Sequence, residues 1–362
     1  MEGKPILTDH NLSNNENSEE SGYSISRFIC TANHGFAPYA QEELRRKFGS
    51  LKSRVLVSGE VFLLTLNEEA GRAVDMIISS PPIFLRHIQP VQLEQNAEDM
   101  DQAVREVSAF LRNRKELHGA AVSLQVRKAD DSLWQDSAGK LRETLAEMLS
   151  DLGADFVVQD PEWIISIFAA GSMLHAGVSR PSDNLSDWSG GAIRFQREEG
   201  QISRAKFKLL EAEHSFGIDF TAFHKAIDIG AAPGGWTSFL LERGLQVTAV
   251  DPAVMHESLQ GHPALRILRK NASEVQFKDE EFDLLVCDMS WSPKQMVKLV
   301  KELLPSLAAG GTAVVTVKLM HKKPMALIDD VISSFEQAEM QVQRAKQLFH
   351  NRDEITLYMI KY

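Results

Sequence analysis

The chain has 362 residues, 43% hydrophobic and 25% charged, with two cysteines and a formal net charge of -11. That length holds two or three domains with real cores. Cys30 and Cys287 stand far apart, which excludes a disulfide framework and a paired-cysteine zinc site and fits a reducing cytoplasm. The acidic balance argues against nonspecific coating of nucleic acid, although local patches rather than the sum decide binding. No charged-then-apolar leader is read and no apolar run is long enough to span a bilayer, so no membrane partner is expected.

Residues 1–26 are polar and read as a disordered tail. From Arg27 the pattern changes. Phe28 to Thr31 predicts a strand, Pro38 to Phe48 a helix, and Val55 to Val57 with Val61 to Leu66 a hairpin turning at Gly59. Glu68 to Ser79 predicts a helix and Ile83 to Val91 a strand. This alternation over 27–95 suggests a ferredoxin-like α+β domain. A second unit, 96–181, follows. Ala97 to Arg112 and Gly139 to Leu152 predict amphipathic helices, the latter stopped by Gly153. Ala120 to Arg127 predicts a strand, and Trp163 to Phe168 with Ser172 to Val178 a hairpin. Residues 182–204 have few apolar anchors and several glycines and read as a linker.

The remainder, 205–362, reads as α/β, a Rossmann-like domain. Strands are expected near Ala226 to Ile229, Gln246 to Val250, Ala264 to Leu268, Leu284 to Cys287, Thr312 to Val317 and Ile355 to Ile360. Several are continuously apolar, as a sheet covered on both faces requires. Its most informative stretch is Asp228-Ile229-Gly230-Ala231-Ala232-Pro233-Gly234-Gly235-Trp236, between a strand and a helix. Glycines there let the backbone turn sharply and let a ligand approach the main chain. Asp251, at the end of the next apolar run, stands where nucleotide-binding units grip a ribose diol. The spacing is not G-x-G-x-x-G, which disfavours nicotinamide or flavin.

Four further residues are candidates for chemistry. Lys208 precedes the cofactor strand. Asp288 and Lys318 each end an apolar run, and Glu354 begins the last strand. Ligands of open α/β sheets bind outside the carboxyl ends of the strands. Glu354 joins the others there if its strand runs antiparallel. Singly, each has an ordinary reading as a solvated lysine, a loop cap or an edge-strand charge.

Taken together, these contexts resemble the FtsJ-type ribose 2'-O-methyltransferases, whose Lys-Asp-Lys-Glu tetrad falls on Lys208, Asp288, Lys318 and Glu354. The resemblance is closer to the RlmM branch of that family, which methylates a cytidine ribose of 23S ribosomal RNA. It rests on Ser203-Arg204 with Lys208-Leu209 and Glu211-Ala212, on Ala231 to Thr237, and on Val286-Cys287-Asp288-Met289. It continues in Lys318-Leu319 with Lys322-Lys323 and in Leu348 to Glu354. It extends over the first half, where that branch carries a ferredoxin-like domain and a THUMP RNA-binding domain.

The resemblance implies S-adenosyl-L-methionine held by Asp228, Gly230, Ala231, Ala232, Pro233, Gly234, Gly235, Trp236, Asp251, Asn271 and Asp288. The expected partner is RNA, either 23S rRNA or a large-subunit precursor, with no DNA. At the adenine position the family favours aspartate, whereas this chain has Asn271, whose amide can still pair with an adenine edge. The segment between Arg204 and the cofactor strand is short for the family. Lys318 is expected to orient the ribose hydroxyl and take its proton, if burial and a neighbouring cation such as Lys208 lower its pKa. No metal-ligand spacing is evident.

Arg204, Lys322 and Lys323 border the tetrad and are the leading RNA contacts. Arg45-Arg46-Lys47, Arg112 with Arg114-Lys115 and Arg127-Lys128 are further candidates, and Trp291 is placed to stack on a base. A base methyltransferase is disfavoured, because Asp288-Met289-Ser290-Trp291 lacks the Pro-Pro-aromatic pattern of amino-methylating enzymes. Cys287 lies in an apolar run, as an inert thiol would. A small-molecule methyltransferase leaves the first half without a role. A noncatalytic assembly factor that keeps the fold would not need the tetrad.

Overall fold

A computed structural model describes residues 24–197, 199–319 and 323–362. The expected tail therefore lies almost wholly outside the described residues. The first unit runs β1 (Ser26–Thr31), α1 (Ala37–Phe48), β2 (Leu51–Val57), β3 (Val61–Leu66), α2 (Ala70–Ser79) and β4 (His87–Pro90). Its strands lie in the order β2-β3-β1-β4, antiparallel throughout, the ferredoxin-like connectivity. Gly59 makes the hairpin turn at φ +71, a left-handed conformation that suits glycine. The Glu69 carboxylate caps α2 by accepting from the Gly71 and Arg72 N–H groups. The strand expected from Ile83 is shorter, because Glu43 takes the Ile83 and Phe84 N–H groups at 2.6 and 2.9 Å. A sheet ladder would need those donors.

The second unit contains β5 (Leu93–Asn96), α3 (Met100–Arg112), β6 (Ala121–Lys128), α4 (Ala138–Met148), β7 (Asp155–Phe156), β8 (Trp163–Ala170) and β9 (Met173–Ser179). Their order is β5-β9-β8-β6-β7. β8 and β9 form the expected hairpin, and β6 runs parallel to β8. The apolar faces of α3 and α4, with Val104, Val107, Leu111, Leu141 and Leu145, bury against this sheet. α3 begins later than expected because Asp99 caps it through the Gln102 N–H.

The third unit contains α5 (Lys206–Phe216), β10 (Lys225–Ile229), α6 (Gly235–Glu242), β11 (Gln246–Val250), β12 (Leu265–Leu268), β13 (Phe282–Cys287), α7 (Pro293–Leu303), β14 (Leu307–Lys318), α8 (Pro324–Glu336), β15 (Met340–Lys346) and β16 (Glu354–Lys361). The sheet order is β12-β11-β10-β13-β14-β16-β15. β10 to β14 are parallel, and β16 is antiparallel to β14. Strand order reverses between β10 and β13, and such a switch point opens a crevice at the carboxyl edge.

The first and third units share one core. Phe28, Phe62 and Leu64 belong to the same buried cluster as Ile227, Leu285 and Val315. Polar bonds reinforce the joint. Asn33 donates to the carbonyls of Leu348 and Asn351 at 2.8 and 3.0 Å, and the Lys346 ammonium donates to Pro82 O at 2.9 Å. The expected linker is also packed. Asn184 and Ile193 are buried, and Gly190 O accepts from Arg86 Nε at 2.9 Å. At Gly190 a Cβ would lie 2.4 Å from the Arg127 guanidinium. Here glycine permits close packing where composition alone suggested looseness.

Candidate active site

α5 brings Lys208 to the carboxyl edge of the sheet. Asp288 follows β13, Lys318 closes β14, and Glu354 opens β16. Because β16 is antiparallel, Lys318 and Glu354 stand opposite each other in the ladder. The four side chains form one cluster. Lys208 Nζ lies 2.9 Å from both Asp288 oxygens and 2.5 Å from Glu354 Oε1. Lys318 Nζ bonds the other oxygen, Glu354 Oε2. Thr316 adds a hydroxyl bond to Asp288 Oδ1 at 2.8 Å. Thr316 is two residues before Lys318, so strand alternation puts both on one face, a signal present in the sequence that the motif reading missed.

The charges are arranged unequally. Glu354 is 1% exposed and bridges both lysines. Burial alone would push its pKa up, yet Lys208 foremost, then Lys318, hold it below the ordinary value. Burial likewise opposes the Lys208 ammonium, but Asp288 and Glu354 outweigh it and raise its pKa. Lys208 is therefore a fixed cation that anchors two carboxylates. Lys318 has Glu354 as its carboxylate partner, and its side chain keeps 29% of its surface open. Of the two lysines it is the better placed to meet a substrate.

The glycine turn lies beside this cluster. Gly230 has φ +76, and its N–H donates to Val250 O at 3.0 Å. A Cβ there would come 2.6 Å from Met289 Cγ, and at Gly234 (φ +117) one would come 2.2 Å from Leu259 Cδ1. These glycines are needed for packing as well as for turning. Asp251 accepts from Ala232 N–H at 3.1 Å and Ala253 N–H at 2.7 Å, which fixes its carboxylate at the mouth of the turn.

Asp228 is buried and accepts from the Thr237 hydroxyl at 2.6 Å. Burial pushes its pKa up to about 7; the Thr237 bond opposes the shift, and the charges of Asp288 and Asp251 add to it. Asp288 and Asp251 thus stand close enough to Asp228 for their charges to be felt, and three acidic side chains gather beside the glycine turn.

Two expected cofactor contacts take other roles. Trp236 is 3% exposed and lies in the core, where Nε1 donates to Ala205 O at 2.8 Å. It ties α6 to the residue before α5 rather than facing the crevice. Asn271 caps a short turn, and its amide donates to Glu274 Oε1 at 2.8 Å. That bond occupies part of the amide expected to pair with an adenine.

Among the basic candidates, Arg204 and Lys323 are exposed, and Lys322 lies outside the described residues. Arg45 and Arg46 bond Glu42, and Arg112 bonds Asp151. Arg127 is internal. It donates to Thr31 Oγ1 and Gln89 Oε1 at 3.0 Å each, while Lys128 donates to the Trp134 and Asp136 carbonyls. The Arg127-Lys128 pair therefore braces the fold rather than presenting a basic face. Trp291 is 39% exposed beside Asp288. Cys287 is fully buried and its pKa is pushed up by burial, which leaves no nucleophilic thiolate for C5 chemistry.

The third unit is thus a Rossmann-like α/β sheet with a glycine turn at its switch point and acidic and basic side chains at its carboxyl edge. Residues 201–351 match the model of the FtsJ-like methyltransferase family. The chain is 33% identical over 236 residues to Ribosomal RNA large subunit methyltransferase M of Laribacter hongkongensis, covering 62% of this chain and 65% of that protein. It is 33% identical over 214 residues to the protein of the same name from Pseudomonas putida strain GB-1, covering 55% of this chain and 58% of that one. The chain thus spans somewhat less than two thirds of the length of these curated relatives.

Proposed function

We propose that the protein is an S-adenosyl-L-methionine-dependent RNA ribose 2'-O-methyltransferase, acting on a cytidine of 23S rRNA in the cytoplasm. The observation that carries this reading is the contact cluster of Lys208, Asp288, Lys318 and Glu354 beside the Gly230–Gly235 turn. The relatives' names supply the substrate class. The acidic side chains beside the turn suit the cofactor's sulfonium and ammonium, and Asp251, held by the Ala232 and Ala253 N–H groups, would accept from its ribose diol.

When bound, the cofactor supplies a methyl group activated for in-line displacement. The protein's part is to present the hydroxyl. Lys318, held by Glu354, orients the 2'-hydroxyl; to receive the hydroxyl proton its ammonium must first give up one of its own to solvent. Lys208 keeps Glu354 ionised and holds Asp288 in place, so Lys318 is positioned before substrate arrives. Arg204 and Lys323 are exposed and would meet phosphates. The second unit is read as the THUMP-like recruiting module. A cleft of about 930 Å³ beside β6 supports this, since Arg142, Arg194 and Trp188 line it, with Glu60, Asp160 and Asp187.

The test is methyl transfer from labelled cofactor to unmodified 23S rRNA, with nucleoside analysis of the product. The wild type should form 2'-O-methylcytidine. Lys318→Ala should lose at least about 100-fold in turnover while still binding cofactor. A methylated base would overturn the ribose mechanism, an unaffected variant would overturn the role given to Lys318, and no transfer by the wild type would favour the assembly-factor reading.

A further inference from the structure

We infer that the depression between the ferredoxin-like unit and the 349–353 loop receives the nucleotide adjacent to the methylated one. This rests on the RNA methyltransferase reading and deepens it. The cavity measures about 340 Å³, and its walls include His34, Phe36 and the Glu60–Arg86 ion pair from one unit and Phe349, Arg352 and Asp353 from the other.

Position is the first argument. Asp353 directly precedes Glu354, and its carbonyl accepts from the Leu319 N–H at 2.7 Å. The wall of the cavity therefore adjoins the residues that follow Lys318 and precede Glu354. At a rise of about 3.3 Å per extended residue, Arg352 and Asp353 lie within roughly 10 Å of the tetrad along the chain. A ribose held at Lys318 puts its neighbouring nucleotide within that reach.

Chemistry is the second. Phe36 and Phe349 are half-buried rings held in place by their own neighbours. Phe36 stacks on Phe84 at 5.5 Å between centroids, and the Arg86 guanidinium covers Phe349 at 5.1 Å. Arg86 is itself fixed by Asn33 Oδ1 and Gly190 O, at 2.7 and 2.9 Å. Rigid rings of this kind offer a base a stacking platform without a further ordering cost.

His34 and Arg352 are exposed at the rim. Among the described residues, neither side chain has a hydrogen-bond or ion-pair partner. In a chain of net charge -11, an arginine without a carboxylate partner beside the catalytic strand is suited to a phosphodiester. Single-stranded RNA with splayed bases supplies both the ring and the phosphate.

The experiment measures methyl transfer to a 23S rRNA transcript by the full chain and by His34→Ala, Arg352→Ala and Arg352→Lys, with cofactor affinity measured separately. A transcript carrying a thio-substituted pyrimidine beside the methylated position is also crosslinked and the peptides mapped. The expected result is a rise of roughly tenfold in KM for RNA in each alanine variant. Arg352→Lys should recover part of it, cofactor affinity should be unchanged, and the crosslink should map to His34 or Phe349.

Unchanged RNA KM in both alanine variants, or crosslinks confined to other segments, would overturn the inference while leaving the 2'-O-methyltransferase reading intact. A fall in kcat at unchanged KM for Arg352→Ala would also overturn it, by assigning Arg352 to the support of Glu354. Failure of the wild type to methylate any ribose would overturn the parent reading and this inference with it. His34 and Arg352 come from different units, so misfolding of one variant leaves the other decisive.

Discussion

Asp228 shows how a single buried carboxylate can link stability, pH and ligand. Its pKa is pushed up to about 7, above the ordinary 3.8 of an aspartate. The folded protein therefore binds more protons than the unfolded chain between about pH 4 and pH 7, and stability falls as pH rises through that window. The loss from this residue is at most about 4 kcal/mol. Asp228→Asn keeps an acceptor for Thr237 and removes the titration. Thermal denaturation from pH 4.5 to pH 8 should be flatter for the variant than for the wild type. A cationic cofactor favours the ionised form, so cofactor binding to the wild type should tighten with rising pH over the same window and release a proton. Calorimetry in two buffers of different ionisation enthalpy would detect that release.

At the scale of elements, the site is made by strand ends and by one helix. The α5 helix carries Lys208 and, one turn later, Glu211, whose buried carboxylate accepts from the Phe349 and His350 N–H groups at 2.6 and 2.8 Å. One helix thus grips the tetrad and the loop that leads into β16. The glycine turn is equally constrained. Gly234→Ala would force a Cβ into Leu259 at φ +117, and should cost about 1–3 kcal/mol of stability and weaken cofactor binding. A melting curve and a titration would show both, and an unshifted melting temperature would show that Leu259 and the backbone yield freely.

The parallel strands were legible because each is an apolar run bounded by turns. Glu354 was legible only as a condition, since its place depends on the direction of β16, which pairing decides and local pattern does not. β15 was missed. Its sequence, Met340–Lys346, alternates with charged and amide side chains at a sheet edge, and such a strand carries little hydrophobic signal. Trp236 was given as a cofactor contact by resemblance, but its indole N–H needed a buried acceptor and found Ala205 O.

At the scale of the whole molecule, the ferredoxin-like unit is an integral wall of the catalytic unit. Asn33 holds two carbonyls of the 348–351 segment, so Asn33→Ala leaves both without that donor. Stability should drop by about 1–3 kcal/mol. Amide exchange should accelerate in the 348–353 loop, while β10 and β11 should be unaffected. Exchange spread evenly over the molecule would show that the joint is not specific to that loop. Sequence reading separated the two units as patterns along the chain. It could not reveal their common core, because packing between distant segments leaves no periodicity in either one.

That common core has a consequence for synthesis. The sheet face bearing Phe28, Phe62 and Leu64 is covered by α1 and α2 of its own unit within the first 80 residues, but Val315 and Leu357, which belong to the same cluster, come some 250 residues or more later. At about 5–20 residues per second, the shared core waits on the order of ten seconds or longer for its second half. Glu354 arrives with the last strand, so closing the core and completing the tetrad are the same event, and a growing chain holds no working site before that moment.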